Sequence, residues 1–481
     1  MLLTINTIAQ FAGAQVLNPT CDLEREACGI TWDSREVKPG FVYVALPGER
    51  VDGHSFVSSA CDSGAVAVLV MQDISEETLR YAQEHKTVIL RVSSTHEAFT
   101  QLAQGYRGML NGRIVGITGS TGKTTTKNLV RDVLSAKFSC VATKANQNNE
   151  LGVPRTLLNA DPDTEMVVVE MGMRGLGQIE QLCSFVKPDW GLITNVGESH
   201  IELLGSRENI ARAKAELITA LPDEAGVAFL NATDDMSQFV WKVSGKESSD
   251  VVQVSFNKKD AQGPSVWAEN IVIDGEGYPS FILCASGFSS SLNVDRMECR
   301  LSLRGIHNVS NACSAAAVGC MAGMSLEEIA AALEASQPES GRQEILHSEQ
   351  GFTVINDAYN ANPDSMRASL SLLKTMDIQG RRFVVLGDMG ELGSYAQAAH
   401  ESVGRFAAHA NIDFLVCVGE LARTIGLAAQ SEGFPADCLL MVDSCEKALA
   451  FLREHVASGD AVLVKASHFM ELDKVAKGLL N

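Results

Sequence analysis

Short apolar runs alternate with helical patterns along almost the whole chain. The stretches "VAVLV" at 66–70, "RIVGIT" at 113–118, "MVVVE" at 166–170, "WGLITN" at 190–195, "RFVVLGD" at 382–388, "FLVCVG" at 414–419 and "AVLVKA" at 461–466 predict strands. They are continuously apolar rather than alternating, which marks strands covered on both faces. The fold class is therefore α/β with mostly parallel sheets. A more β-like region occupies 250–303, and an Ala-rich helix is expected near 310–323. The start, "MLLTINTIAQFAGAQV", reads as a small helix.

The length of 481 residues suggests roughly three domains. The breaks are expected near 93, before the helical "SSTHEAFTQLAQGYRGML", and near 337, where Pro and Gly interrupt "PESGRQEIL". The blocks are thus 1–93, 94–336 and 337–481. A net charge of −20 argues against a nucleic-acid partner or an anionic membrane surface. No run approaches the ~18 apolar residues of a membrane span. Twelve cysteines without CxxC spacing point to a reducing cytoplasm, with neither a zinc cluster nor a disulfide frame.

The chemistry begins at "GITGSTGKTTTK", 116–127. A standard phosphate loop, G-x-x-x-x-G-K-[ST], would put a glycine where Ile117 stands. The context is nonetheless right, a strand followed by a helix whose Leu129, Val130, Val133 and Leu134 keep helical spacing. Gly119 and Gly122 allow main-chain amides to turn toward an anion at the helix start. Lys123 would reach the terminal phosphates and the Thr124 hydroxyl would face Mg²⁺. Glu170 closes the strand "MVVVE" at the end where ligands gather, and a carboxylate suits that cation. Further on, Ser206 reads as a helix cap. Lys214 falls on the apolar face marked by Ile210, Leu217, Ile218 and Leu221. Either its stem snorkels, or burial leaves a neutral amine able to take up CO₂ as a metal-binding carbamate. His200, after "WGLITN", is either a metal ligand or an ordinary loop histidine.

The spelling "TGSTGKTT", Thr118 to Thr125 with Ser120 and Thr121 inside it, resembles the phosphate loop of the Mur ligase family, the ATP-dependent amide-forming enzymes of peptidoglycan synthesis. The resemblance spans nearly the whole chain. "TWDSREVKPGFVYVALPGERVDGHSF" resembles the family's uridine-diphosphate segment, which implies substrate contacts at Asp33, Ser34 and Arg35. "NQNNELGVPRTLL" resembles a loop near the muramoyl peptide, with Asn148 and Asn149. Glu170, His200 and Lys214 match the Mg²⁺-linked positions and the carbamylated lysine. "LRGIHNVSNACSAAA" resembles a segment whose Asn308 and Asn311 approach adenine. "SGRQEI" and "VINDAYNANPDSM" resemble the dipeptide-adding member, which implies nucleotide contacts at Arg342 and Asp357 and a dipeptide-receiving stretch with Tyr359, Asn360 and Asn362.

The resemblance implies an N-terminal domain for the UDP substrate, a central ATPase domain and a C-terminal Rossmann-like domain. It also implies ATP, two Mg²⁺ ions, UDP-N-acetylmuramoyl-tripeptide and D-alanyl-D-alanine as ligands of a monomer. Lys123, Lys214 and His200 would carry the catalysis. The late "KASH", Lys465 to His468, departs from the family's K-G-S-R: Ala466 replaces a glycine and His468 an arginine near the acceptor site. A third-residue-adding ligase, a folylpolyglutamate synthase, a phosphate-loop NTPase without ligase activity and a non-enzymatic relative are the competing readings.

Overall fold

The computed structural model describes residues 1–19, 21–48, 51–260, 263–288 and 294–480. Every apolar run named above forms a strand: Ala67–Val70, Arg113–Thr118, Met166–Glu170, Trp190–Ile193, Arg382–Gly387, Phe414–Val418 and Ala461–Lys465. Among the described residues they belong to three larger sheets that follow one another along the chain.

The central sheet explains the continuous apolar pattern. Its order runs Cys140–Ala142, Met166–Glu170, Arg113–Thr118, Trp190–Ile193, Val227–Asn231, Val252–Phe256, Ser265–Ile273, Pro279–Ser286, Asp295–Arg300. Successive side chains on a strand point to opposite faces. Val115, Ile117 and Val168 enter one core, while Ile114, Val167 and Val169 enter another on the opposite face. Both faces are dry, so neither set of positions can be polar.

The last three strands depart from the parallel expectation. Pro279–Ser286 pairs antiparallel with both its neighbours, and a short turn at 274–278, rather than a crossover helix, joins it to Ser265–Ile273. Asp295–Arg300 ends the sheet, with Asp295, Arg296, Glu298 and Arg300 exposed along it. The Ala-rich helix runs from His307 to Met321 and packs on the helix Lys123–Ser135 that follows the glycine loop. Its small side chains let the two backbones come close. A further helix, Leu326–Ala335, follows behind a Ser325 capping box.

The C-terminal sheet has the order Glu344–His347, Thr353–Asn356, Ala461–Lys465, Arg382–Gly387, Phe414–Val418, Leu439–Val442, parallel except for the first strand. The N-terminal sheet pairs Gly29–Thr31, Phe41–Val44, Ala67–Val70 and Val88–Arg91 in parallel, with Gln15–Val16 antiparallel at one edge. The small helix expected at the start is Ile5–Phe11, capped by Thr4.

One link between the N-terminal sheet and the central unit centres on an arginine. Arg155 meets Glu36 at 2.5 Å, and its guanidinium lies 5.1 Å from the Trp32 ring centre. Thr31 donates to the same Glu36 oxygen at 3.0 Å. Because Glu36 is partly exposed, the cluster contributes about 1–2 kcal/mol. Arg155→Ala should therefore lower the urea midpoint of the first unfolding transition and speed protease cutting near residues 31–36. An unchanged midpoint and cutting rate would show that the seam is held elsewhere.

Candidate functional site

A cleft of about 1260 Å³ opens where the central strands end and the C-terminal unit faces them. Ligands of open α/β sheets collect at such strand ends. The glycine loop forms its floor. Gly119 has φ +155° and passes so close to Thr194 that a Cβ there would lie 1.8 Å from Thr194 Oγ1. Gly122 has φ +75° and serves as the N-cap of the following helix without a side-chain cap, so the helix start keeps donors for an anion. The loop is held from the next strand. Ser120 N donates to Asn195 O at 3.0 Å, Thr121 N to Asn195 Oδ1 at 3.0 Å, and Thr194 Oγ1 to Thr121 O at 2.6 Å.

Lys123 folds back on this loop and donates to Gly119 O at 2.7 Å. It keeps some surface open to the cleft, yet its ammonium is crowded enough that burial lowers its pKa, with Glu170 opposing. Thr124 Oγ1 donates to Glu170 Oε1 at 3.2 Å, and Asn148 Nδ2 donates to the same oxygen at 2.8 Å. Glu170 is 1% exposed, and its Oε2 is buried without a hydrogen-bond partner. The nearest cation to Oε2 is Lys127, at 4.0 Å; it is itself 1% exposed and bonded to Ala145 O.

Lys214 lies in the helix Arg207–Thr219, which Ser206 caps by accepting from Asn209 N. At 1% exposure the lysine does not snorkel, and it makes no hydrogen bond to a described residue. Burial, and then the nearby Lys123 charge, hold its pKa well below the ordinary range, which favours the neutral amine. Lys214, Thr118 and Gly119 are not among the residues that line the cleft. His200 does line the cleft, in left-handed backbone with φ +63°, and its Nδ1 is 2.7 Å from Glu391 Oε2 although off the ring's N–H axis.

The C-terminal unit supplies the roof. Arg342 Nη2 donates to Thr124 Oγ1 at 3.0 Å, with its guanidinium 4.3 Å from the Tyr359 ring centre. Asp357 lies beneath, its carboxylate engaged by Lys465 Nζ at 2.7 Å, Ser369 Oγ at 2.5 Å and Gln343 N at 3.2 Å. Lys465 also donates to Asn360 O at 3.1 Å, and His468 lies 5.9 Å from Tyr359, ring to ring. Asn362 caps the helix Pro363–Thr375 and reaches Ser199 Oγ at 2.9 Å. Asn149 lines the cleft while its Oδ1 caps the helix Gly152–Leu158, accepting from Gly152 N at 3.0 Å. Asn311 stands beside the loop, accepting from Thr126 Oγ1 at 3.2 Å and donating to Asn308 at 2.8 Å. Thr125 also faces the cleft.

Asp33, Ser34 and Arg35 are not brought to the cleft. Arg35 pairs locally with Asp33 at 2.6 Å in a turn of the N-terminal unit, with an 87% exposed side chain. Sequence reasoning missed Lys127, Asn195, Gln343, His307 and Glu391, all in or beside the cleft. For Glu391 a signal existed: it follows the strand Arg382–Gly387, as Glu170 closes its own strand. Lys127 stands one helical turn after Lys123.

Comparison with known proteins identifies the family. The profile of the Mur ligase middle domain matches residues 117–319, that of the Mur ligase glutamate ligase domain 341–468, and that of the Mur ligase family catalytic domain 26–107. The UDP-N-acetylmuramoyl-tripeptide–D-alanyl-D-alanine ligase of Bacillus subtilis is 33% identical over 99% of this chain and 98% of its own length. The crystal structure of MurF from Acinetobacter baumannii superposes with a TM-score of 0.83 at 29% identity, covering 100% of this chain and 99% of that one. MurF ligase from Thermotoga maritima, solved in complex with ADP, gives 0.73 at 27% identity, covering 94% and 96%.

Two outcomes test the site. Gly119→Ala forces a clash with Thr194 Oγ1, and overpacking of this kind costs about 1–3 kcal/mol. ATP affinity by calorimetry should fall about ten- to hundredfold, and Thr194→Ala in the same chain should restore part of it. His307 is held neutral by burial, which lowers its pKa from near 6.5 to about 4. Between those values only the unfolded chain takes up the proton, so stability falls as pH drops through that window. In urea titrations at neutral pH and at about pH 5, His307→Gln should shrink the difference.

Proposed function

The chain belongs to the Mur ligase family, and on that premise we propose how its residues perform the family's chemistry. It is an ATP-dependent ligase that joins D-alanyl-D-alanine to UDP-N-acetylmuramoyl-tripeptide in peptidoglycan precursor synthesis. The observation that carries the site assignment is the glycine loop set against a buried, half-satisfied Glu170 inside a cleft shared by two units. Full-length likeness to the dipeptide-adding enzyme favours this reading over a third-residue ligase, a folylpolyglutamate synthase or a simple NTPase.

The tripeptide carboxylate attacks the γ-phosphate of ATP to give an acyl phosphate and ADP. The dipeptide amine then attacks the acyl carbon, and phosphate leaves as the amide forms. Both partners of the first step are anions, so the site must first offset their repulsion. Loop amides of Gly122 to Thr125, at the uncapped helix start, cradle the phosphates. Lys123 exchanges Gly119 O for a phosphate oxygen, and Arg342 adds a second positive charge from the C-terminal unit. Asn308 and Asn311 border the adenine side, Asp357 and Lys465 the ribose side. Asn148 and Asn149 face the tripeptide, whose uridine end is received by Asp33, Ser34 and Arg35 on the N-terminal unit. Tyr359, Asn360 and Asn362, with His468 nearby, receive the dipeptide.

The buried, unpartnered Glu170 Oε2 and the hydroxyl of Thr124 fit Mg²⁺, which takes few protein oxygens and keeps water. His200 and a carbamylated Lys214 would hold a second ion. When bound, Mg²⁺ neutralises phosphate oxygens. The neutral Lys214 amine can add CO₂, forming an N–C bond and releasing a proton, which turns a lysine into a carboxylate. The functional domains are 1–93, 94–336 and 337–481. The protein works as a monomer in this reading, and ATP and a UDP-linked substrate point to work in the cytoplasm. No described helix is long and apolar enough to cross a membrane.

Phosphate release should require both UDP-muramoyl-tripeptide and D-alanyl-D-alanine. Release with ATP alone at the full rate would return the chain to the NTPase reading. Lys214→Ala should lower turnover about 100-fold or more with ATP still bound. It should also remove a carbamate signal in ¹³C spectra recorded with labelled bicarbonate. Full activity in this variant would remove the carbamate from the scheme.

A further inference from the structure

Glu391 has no part in the scheme above, yet it touches one of its members. It lies in a loop of the C-terminal unit, just past the strand Arg382–Gly387, and reaches across the cleft to the central unit. Its Oε2 is 2.7 Å from His200 Nδ1, and its Oε1 is 3.4 Å from Arg174 Nε. Both Glu391 and His200 adopt left-handed backbone, φ +60° and φ +63°. Non-glycine residues keep that conformation at a cost of about 1–3 kcal/mol only where surroundings enforce it. Here two such residues face each other across a seam.

The contact is part of a wider grip. Gly393 lies against Glu202 so closely that a Cβ would sit 2.6 Å from Glu202 Cγ. Tyr395 OH donates to Gly205 O at 3.2 Å, and Asn362 holds Ser199. The C-terminal unit thus clasps the segment 199–205 on both sides of His200. Within that segment the two ring nitrogens of His200 have different surroundings. Nδ1 is buried against Glu391, whereas Nε2 has no partner among the described residues and the ring lines the cleft.

We propose that Glu391 is a positioning residue for His200: the C-terminal unit supplies a carboxylate that fixes the imidazole with Nε2 toward the second metal position, so that this half of the metal site is completed only when the cleft closes. The inference rests on the reading of His200 as a metal ligand. Metal-binding histidines generally direct their other nitrogen to a carboxylate or carbonyl, which sets tautomer and ring orientation. What is particular to this chain is that the carboxylate comes from a different unit, which couples metal retention to closure. A bare interdomain ion pair, half exposed, would hold the units together weakly and leave metal affinity alone.

The test uses Mn²⁺ as probe, titrated into the full chain with the β,γ-imido analogue of ATP, with free ion counted by electron paramagnetic resonance. Glu391→Ala should weaken one class of bound Mn²⁺ about 10–100-fold and leave the class at Thr124 and Glu170 in place. Glu391→Gln, which keeps an acceptor oxygen, should recover part of the loss. In turnover, the Mg²⁺ needed for half-maximal rate should rise in Glu391→Ala, with KM for D-alanyl-D-alanine unchanged. Unchanged Mn²⁺ affinity in both variants, with the weaker class abolished in His200→Ala, overturns the proposal alone. Persistence of both classes in His200→Ala overturns the ligand reading beneath it.

Discussion

A carboxylate removed from water must be met by donors or cations, or it costs several kcal/mol. Glu170 lives under that constraint, and the site is arranged around it. One oxygen is satisfied by Thr124 and Asn148; the other has no hydrogen-bond partner and only Lys127 at 4.0 Å. Thr124 lies in the first turn of the loop helix, Asn148 belongs to the loop before the helix Gly152–Leu158, and Arg342 arrives on Thr124 from the C-terminal unit. Three separate segments are therefore registered against one buried anion. Its unmet oxygen sets where positive charge must enter.

The same region concentrates lysines in a chain whose net charge is −20. Lys123, Lys127 and Lys214 are crowded or buried close together, and burial lowers the pKa of each. Among buried groups at the loop, Glu170 is the carboxylate set against them. That local excess of cationic capacity suits a polyphosphate, while the outer surface stays acidic. Lys214 is the most extreme of the three. It is buried and has no hydrogen-bond acceptor among the described residues.

Much of this was legible in the sequence. Continuous apolar runs predicted strands buried on both faces, and the two cores on either side of the central sheet give the reason. The glycine loop, the Ser206 cap and the apolar-face position of Lys214 could all be read because each depends on neighbours within a few residues. What could not be read depends on long reach. Glu391 and His200 are far apart in the chain, and no periodicity records that a loop of one unit will cross to another. Asn149 and Asn362 each combine a capping bond with a place in the cleft, and residue type alone does not separate the two. The antiparallel turn of the central sheet was equally hidden, since short apolar strands look alike whichever way they pair.

That antiparallel end has a consequence for the molecule in a crowded cell. An open sheet is a template on which another copy could stack its own strand and grow a fibre. Here the terminal strand, Asp295–Arg300, carries alternating acidic and basic side chains in solvent. Any newcomer would have to strip water from those charges, and the helix Leu326–Ala335 already packs against the same strand, so the border discourages self-association.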